Sequence, residues 1–255
     1  MERQLDRSWP GAVWLDAHVD TVEEQLALDE ALLEEAHEGL TTTAVVRTWM
    51  AREPVVVVGS SSCLDTEVDL AACRAAGVRI VRRPSGGLTV LLGPGCLMWS
   101  VVEPCPDGAP PIDAIHARML DPLCAALSRV AAVPGGVTRR GSSDLVVRAA
   151  DGDRKVSGNA LRVRRHGVLY HGTLLDDFDL DLIGRVLRHP PREPDYRGRR
   201  PHGAFLANLR LGVTALETAV REAFAPACNR TAWPRERVAR LVAERYAAPA
   251  WTARL

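Results

Sequence analysis

Apolar residues recur at helical spacing over residues 22–38, where Leu26, Leu33 and the Leu28/Leu32 pair make an apolar face. Thr21 and Glu24 stand in capping-box spacing at its start and Gly39 offers a stop, so the pattern predicts a first helix that packs and carries no chemistry. Two apolar runs, 43–49 and 55–59, flank Met50-Ala51-Arg52-Glu53-Pro54 and predict a hairpin of buried strands. The unbroken Val55-Val56-Val57-Val58 needs cover on both faces. Asp65 or Thr66 caps a short helix through Ala76 with Gly77 as its stop, and a strand over 78–81 then runs into Arg82-Arg83. A further strand follows over 88–92. Met119, Leu123, Leu127 and Val130 form a stripe that predicts a helix over 112–132, with Pro122 as a point of kinking and Pro134-Gly135-Gly136 as its end.

Between 144 and 176 the period changes to two. Three strands are predicted, 145–149, 155–163 and 168–175, joined by Asp151-Gly152-Asp153 and by Arg164-Arg165-His166-Gly167. Lys155 sits at the mouth of the middle strand, where alternation sets Lys155, Ser157 and Asn159 on one face and Val156, Gly158 and Ala160 on the other. Glycine inside a strand marks a bulge or a close approach by a ligand or another backbone. A lysine beside small residues reads as an anion pocket; a solvated hairpin charge beside Asp153 is the plainer alternative. A short helix over 179–187 precedes an irregular Pro/Arg-rich segment, 188–201, whose prolines prevent regular structure and whose arginines keep it wet. A sharper role for Arg197, Arg199 and Arg200 is steering of an acidic protein partner. The tail predicts a helix from a capping box at Thr214 and Glu217 to Phe224, then one over 234–246 with Val238, Leu241 and Val242 inward.

With 255 residues, 47% hydrophobic and 5% aromatic, the chain can bury one sizeable core or at most two modest ones, and one main domain with a short helical tail is expected. A formal net charge of zero does not call for an extended nucleic-acid surface, and leaves room for a locally basic patch. Cys63, Cys73, Cys96, Cys105, Cys124 and Cys228 show no CxxC pair and no metal spacing with histidine, which fits a reduced, cytoplasmic compartment. The first 16 residues lack an apolar signal core, and no run approaches the roughly 18 apolar residues that span a membrane.

Candidate chemistry gathers at a few positions. Arg82-Arg83-Pro84-Ser85-Gly86-Gly87 brings guanidinium donors to glycine N–H groups, which suits a phosphate or carboxylate and equally an ordinary tight turn. Cys96, in a Leu/Met/Trp-rich run, reads either as an acyl-accepting thiol at the pocket edge or as a buried packing residue, and spacing identifies no partner base. His116 has no metal-ligand partner beside it and reads as packing or surface. Asp144 either holds Mg²⁺ near phosphates or fixes its loop by a local hydrogen bond. His171 either orients a pocket group or satisfies a backbone partner.

Two of these blocks carry a resemblance. Lys155-Val156-Ser157-Gly158-Asn159-Ala160, preceded by Asp144-Leu145-Val146-Val147 and followed by His171-Gly172-Thr173-Leu174-Leu175-Asp176, resembles the lysine segment of the lipoate-protein ligase A family. Arg82 to Gly87 resembles that family's arginine-serine-glycine block, in the same order and at about the same spacing, and the likeness covers residues 20 to 210. It implies an α+β fold with a mixed, largely antiparallel β-sheet flanked by helices, like the biotin/lipoate protein ligase catalytic domain. Residues 1–210 would form this domain and 211–255 a short C-terminal helical extension packed on it. The implied activity is that of an ATP-dependent, AMP-forming lipoate-protein ligase using Mg²⁺. It converts lipoate to lipoyl-AMP and then modifies a lysine of a lipoyl-domain or glycine-cleavage-H-like acceptor protein.

On this resemblance Lys155 would contact the carboxylate and the α-phosphate, and Arg83 would bind phosphate. Gly86, Gly87, Leu88, Thr89, Val90 and Leu91 would line the nucleotide and acyl groups, and Asp144 would hold the metal. The tail is too short for the accessory domain of larger ligases, which leaves room for a separate accessory polypeptide. Three departures stand out. Leu88 replaces a third glycine, Leu92-Gly93-Pro94-Gly95-Cys96 replaces a polar histidine-aspartate and glycine-asparagine stretch, and Ser60-Ser61-Ser62 replaces a basic or amide side chain. They keep open a thioester-dependent octanoyl- or lipoyl-transferase with Cys96 as nucleophile, and a noncatalytic lipoyl-binding protein. Arg140-Gly141-Ser142-Ser143-Asp144 has no cysteine where one transferase branch carries its nucleophile.

Overall fold

A computed structural model describes residues 9, 11–131 and 135–254; Pro134 and most of the N-terminal segment read above lie outside the described residues. The chain enters along β1 (Val13–Leu15) and α1 (Val22–His37), whose Thr21 hydroxyl accepts from the Glu24 N–H while Glu24 accepts from the Thr21 N–H, as the capping box predicts. There follow β2 (Val45–Met50), β3 (Val55–Val58), α2 (Leu64–Glu67), α3 (Leu70–Ala75), β4 (Arg79–Arg82), β5 (Val90–Leu92) and β6 (Cys96–Pro104). The long helix α4 (Ile112–Ala131), with Pro122 inside it, leads to β7 (Val137–Arg140), β8 (Asp144–Ala149), β9 (Gly152–Ser157), β10 (Asn159–Arg164) and β11 (Gly167–Leu175). The chain closes with α5 (Leu180–Val186), α6 (His202–Phe205), α7 (Val213–Phe224), β12 (Cys228–Arg230), α8 (Arg235–Leu241) and α9 (Pro249–Thr252). No helix among the described residues is long and apolar enough to cross a membrane.

The main sheet has the order β10-β11-β6-β2-β1-β12, antiparallel from β10 to β2 and parallel from β2 through β1 to β12. β6 lies at its centre and reads as an apolar run because both faces are covered. Leu97, Trp99 and Val101 join the core under α4 and α7, and Met98 and Val102 join the core under α1. Two small sheets flank it, β4-β3-β5 in the α1 layer and β7-β8-β9 beside α4. This is the α+β architecture expected, with a mixed and largely antiparallel sheet between helices.

Several local expectations are corrected. β2 and β3 do not form a hairpin: β2 pairs with β6 and β1, while β3 pairs with β4 and β5 in the neighbouring sheet. The helix predicted through Ala76 is two, because Asp69 is extended and caps α3 through the Ala72 N–H. The strand predicted over 155–163 divides at Gly158, β9 pairing with β8 and β10 with β11 in the main sheet. α7 starts from Gly212 with no side-chain cap, so Thr214 and Glu217 form no capping box. The helix predicted over 234–246 is α8 followed by a π turn, Val242–Tyr246. The 188–201 segment is not simply wet: Arg197 is buried, and Arg200 donates to the carbonyls of Asp153, Tyr196 and Arg197. Of the three arginines assigned to steering, Arg199 alone is exposed.

Candidate active site between the main sheet and the glycine turn

A cavity of about 650 Å³ opens where the end of β11, the start of β10, the 83–92 segment and the 188–206 segment meet. Arg83, the residues from Gly87 to Leu91, Asp144 and Lys155 line it, as do Gly158 and His171. Apolar Leu26, Met98, Leu175, Ile183 and Phe205 form its inner part, and Arg188 and Arg192 stand on its outer part. The two sequence blocks are therefore adjacent: a Cβ placed on Gly87 would lie 3.6 Å from that of Ala160.

Lys155 extends from β9 beside the break at Gly158, and its Nζ lies 2.7 Å from Asp144 Oδ1 on the paired strand β8. Tyr196 donates to Asp144 Oδ2 at 2.8 Å. Ser157 no longer aligns with Lys155 as simple alternation requires, since the β8–β9 register shifts between Leu145 and Val146. The side chain of Asn159 instead holds the preceding turn, donating to the Ser143 carbonyl at 2.6 Å.

The arginine-serine-glycine block forms a turn tied down from behind. Arg83 is buried and donates to Ser85 Oγ, to the Val57 carbonyl, and through Nη2 to the carbonyls of Gly86 (2.6 Å) and Leu88 (2.9 Å). The Gly87 carbonyl accepts from Ser62 Oγ, the Ser85 carbonyl from the Ser60 N–H, and the Pro84 carbonyl from Arg162. The serine loop thus braces the turn. With Gly87 at φ +85° and the carbonyls engaged, the N–H groups of Gly86, Gly87 and Leu88 have no protein acceptor among the described residues. Successive backbone N–H groups of this kind suit an anion. Burial pulls the Arg83 guanidinium down to about 10, with the Glu67 carboxylate opposing that shift. Arg82 turns away from the cavity, donating to the carbonyls of Gly59, Ser62 and Thr252.

Cys96 begins β6 with no exposure, is absent from the cavity wall, and burial pushes its thiol up to about 12. Of the two readings of Cys96, the geometry favours the packing one: a sealed thiol whose pKa is raised by burial is a poor nucleophile. None of the six cysteines lines the cavity. His116 is a packing residue, its Nδ1 2.8 Å from the Tyr170 hydroxyl. Among the described residues, no group of three or more His, Cys, Asp or Glu is placed to hold a metal ion.

The lipoyl protein ligase A/B catalytic domain family matches residues 21–227. The chain belongs to this family. A lipoate-protein ligase A assigned in Aeropyrum pernix is 35% identical over 163 residues, which span 64% of this chain and 56% of that relative. The octanoyltransferase LipM of Symbiobacterium thermophilum is 35% identical over 190 residues, 68% of each chain. Among solved structures, a lipoate-protein ligase A bound with ATP superposes with a TM-score of 0.77 at 21% identity, over 95% of this chain and 98% of the other. A bipartite lipoate protein ligase from Thermoplasma acidophilum superposes with a TM-score of 0.75 at 20% identity, over 95% and 96%. At these identities the likeness establishes the fold, which is that of the family's ligases.

Two features of the family member's site escaped the sequence reading. Asp29, on the helix assigned no chemistry, is buried and meets His171, whose other ring nitrogen meets Ser85. Its signal was a carboxylate on the core stripe Val22, Leu26, Asp29, Leu33, where burial demands a partner. The second signal is compositional. Lys155 is the single lysine among the 32 Lys and Arg residues of the sequence.

Proposed function

We propose that this protein is an ATP-dependent lipoate-protein ligase, forming lipoyl-AMP and pyrophosphate, after which a lysine amine of a lipoyl-domain or glycine-cleavage-H-like acceptor takes the lipoyl group and displaces AMP. The observation that carries the reading is the pairing, in one cavity, of a lone lysine with a turn whose backbone amides are free. A carboxylate is a poor acyl donor until one oxygen becomes a better leaving group. Bringing it against the α-phosphate requires cationic and N–H donors to hold two anions together. Lys155 Nζ supplies the charge between them, exchanging Asp144 for substrate oxygens. The amides of Gly86, Gly87 and Leu88 receive phosphate oxygens. Arg83 shapes that turn, and its remaining Nη1 hydrogen is the donor left for phosphate. The apolar inner cavity suits the lipoyl chain, and the strand β5 with Thr89 forms the adjoining wall.

Of the carboxylates that line the cavity, Asp144 stands beside Lys155, and Mg²⁺ fits there only as an ion that takes its other ligands from phosphate and water. When bound it would neutralise phosphate charge, and Asp144 would release Lys155 and Tyr196 to hold it. A separate accessory polypeptide, and the bipartite ligase that resembles this fold, are consistent with a chain that supplies the catalytic unit.

A second reading has one observation in its favour, the octanoyltransferase relative. It needs a cysteine that reaches the cavity, and the buried Cys96 speaks against it. The test is lipoate-dependent ATP–pyrophosphate exchange with Mg²⁺. Lys155→Ala should lower exchange by about 10²-fold or more, as the loss of one preorganised donor does, whereas Cys96→Ala should leave it unchanged. Turnover of an octanoyl thioester without exchange would reject the ligase in favour of the transferase.

A further inference from the structure

Asp29, His171, Ser85 and Arg83 form an unbroken buried chain of hydrogen bonds from α1 through β11 to the glycine turn. Asp29 Oδ2 lies 3.3 Å from His171 Nδ1, His171 Nε2 lies 2.6 Å from Ser85 Oγ, and Arg83 Nε donates to that oxygen at 3.0 Å. Ser85 has no exposure and His171 is 3% exposed. Asp29 and Ser100 on the central strand are joined at 2.8 Å, and Arg47 donates to the same carboxylate at 2.6 Å. Burial alone would raise the Asp29 carboxyl, but the Arg47 guanidinium and the bonds from His171 and Ser100 outweigh it and hold it below the ordinary range.

Of the assignments these distances allow, one gives every buried hydrogen in the chain an acceptor. Arg83 Nε carries one hydrogen, and it goes to Ser85 Oγ. Ser85 Oγ has lone pairs for both Arg83 and His171, but among the described residues its own buried hydrogen has no acceptor except His171 Nε2, so it goes there. The ring proton therefore sits on Nδ1, facing the Asp29 carboxylate. At the far end, Arg83 Nη2 grips the carbonyls of Gly86 and Leu88, so the guanidinium plane sets the direction of the amides between them.

We infer that His171 is a positioning residue: as the neutral Nδ1–H tautomer it orients Ser85 and, through it, Arg83, and so holds the amides of Gly86, Gly87 and Leu88 ready for an anion. Its consequence for ATP rests on the ligase reading; its geometry does not. The ring acts through another side chain and needs no contact with substrate.

Two measurements decide it. In the ¹⁵N-labelled wild-type protein at pH 7, the His171 ring should show the Nδ1-protonated tautomer; an Nε2-protonated or doubly protonated ring overturns the inference. His171→Gln places an amide oxygen where Nε2 accepts, whereas His171→Asn loses that acceptor and keeps a donor for Asp29. The Asn variant should shift the Gly86, Gly87 and Leu88 amide resonances and weaken ATP binding about tenfold, the worth of one lost hydrogen bond, while the Gln variant restores affinity to within about threefold. Equal behaviour of the two variants, or unmoved amides in the Asn variant, overturns it. Should the wild type bind no ATP, the ligase reading falls, and the ring tautomer and amide shifts still decide the role of His171.

Discussion

At Gly158 an added methyl would stand 2.9 Å from both Cε and Nζ of Lys155. The far end of a flexible side chain gives way before backbone does, so Gly158→Ala should keep the fold and displace the ammonium. Misplacement by about an ångström costs on the order of 10²-fold in rate, and pyrophosphate exchange at unchanged melting temperature is the measurement. Cys96→Ala makes the opposite case: exchange should be retained, with a stability loss of about 1–2 kcal/mol in urea melts from the vacated core volume. Lys155 was legible because its block has local order and spacing. The partnership of Asp29 with His171 was not, because the two lie 142 positions apart and only packing of α1 on β11 joins them. Arg82 and Arg83 are adjacent and chemically identical. The strand's alternation sends one toward the tail and the other under the glycine turn, a distinction invisible to composition.

Among the elements, α6 brings His202 to the cavity wall, where burial first and then the charges of Arg197, His189 and Lys155 pull its imidazole down to about 4. Unfolded, the ring titrates near 6.5, so between pH 6.5 and 4 the unfolded chain binds the extra proton. This contribution to stability is complete above pH 6.5 and is lost as pH falls through the window. His202→Gln should flatten the dependence of melting temperature on pH there; an unchanged slope would count against the burial. The tail element α9 clamps the strand that leads into the glycine turn. Trp251 Nε1 donates to the Arg82 carbonyl at 2.9 Å while the Arg82 guanidinium donates back to the Thr252 carbonyl. Trp251→Ala should cost about 1–2 kcal/mol in a denaturant melt, a lost hydrogen bond plus lost ring contact. Helix α1, with its local cap, was readable residue by residue. The division at Gly158 was not, since a run of strand-forming residues states that strands exist without stating that their halves pair in different sheets.

For the whole molecule, the two cores on opposite faces of the main sheet share β6, and Trp99 lies fully buried against Phe224 of α7 with ring centroids 5.5 Å apart. We propose that 211–255 is part of one folding unit with 1–210, because β12 pairs with β1 and α7 covers the central strand. A 1–210 fragment should lack near-ultraviolet tertiary signal and a cooperative melt; a cooperatively folded fragment would separate the two. The amino-acid sequence by itself determined the cap of α1, the apolar runs and the two blocks that carry the family's chemistry, since each rests on residues within a few positions of one another. Tertiary structure alone decided which apolar runs pair, which arginines are buried, that Cys96 is sealed in the core and that Asp29 reaches the glycine turn. Those outcomes depend on partners far apart in the chain, and a buried polar group takes its meaning from whichever partner the fold brings to it.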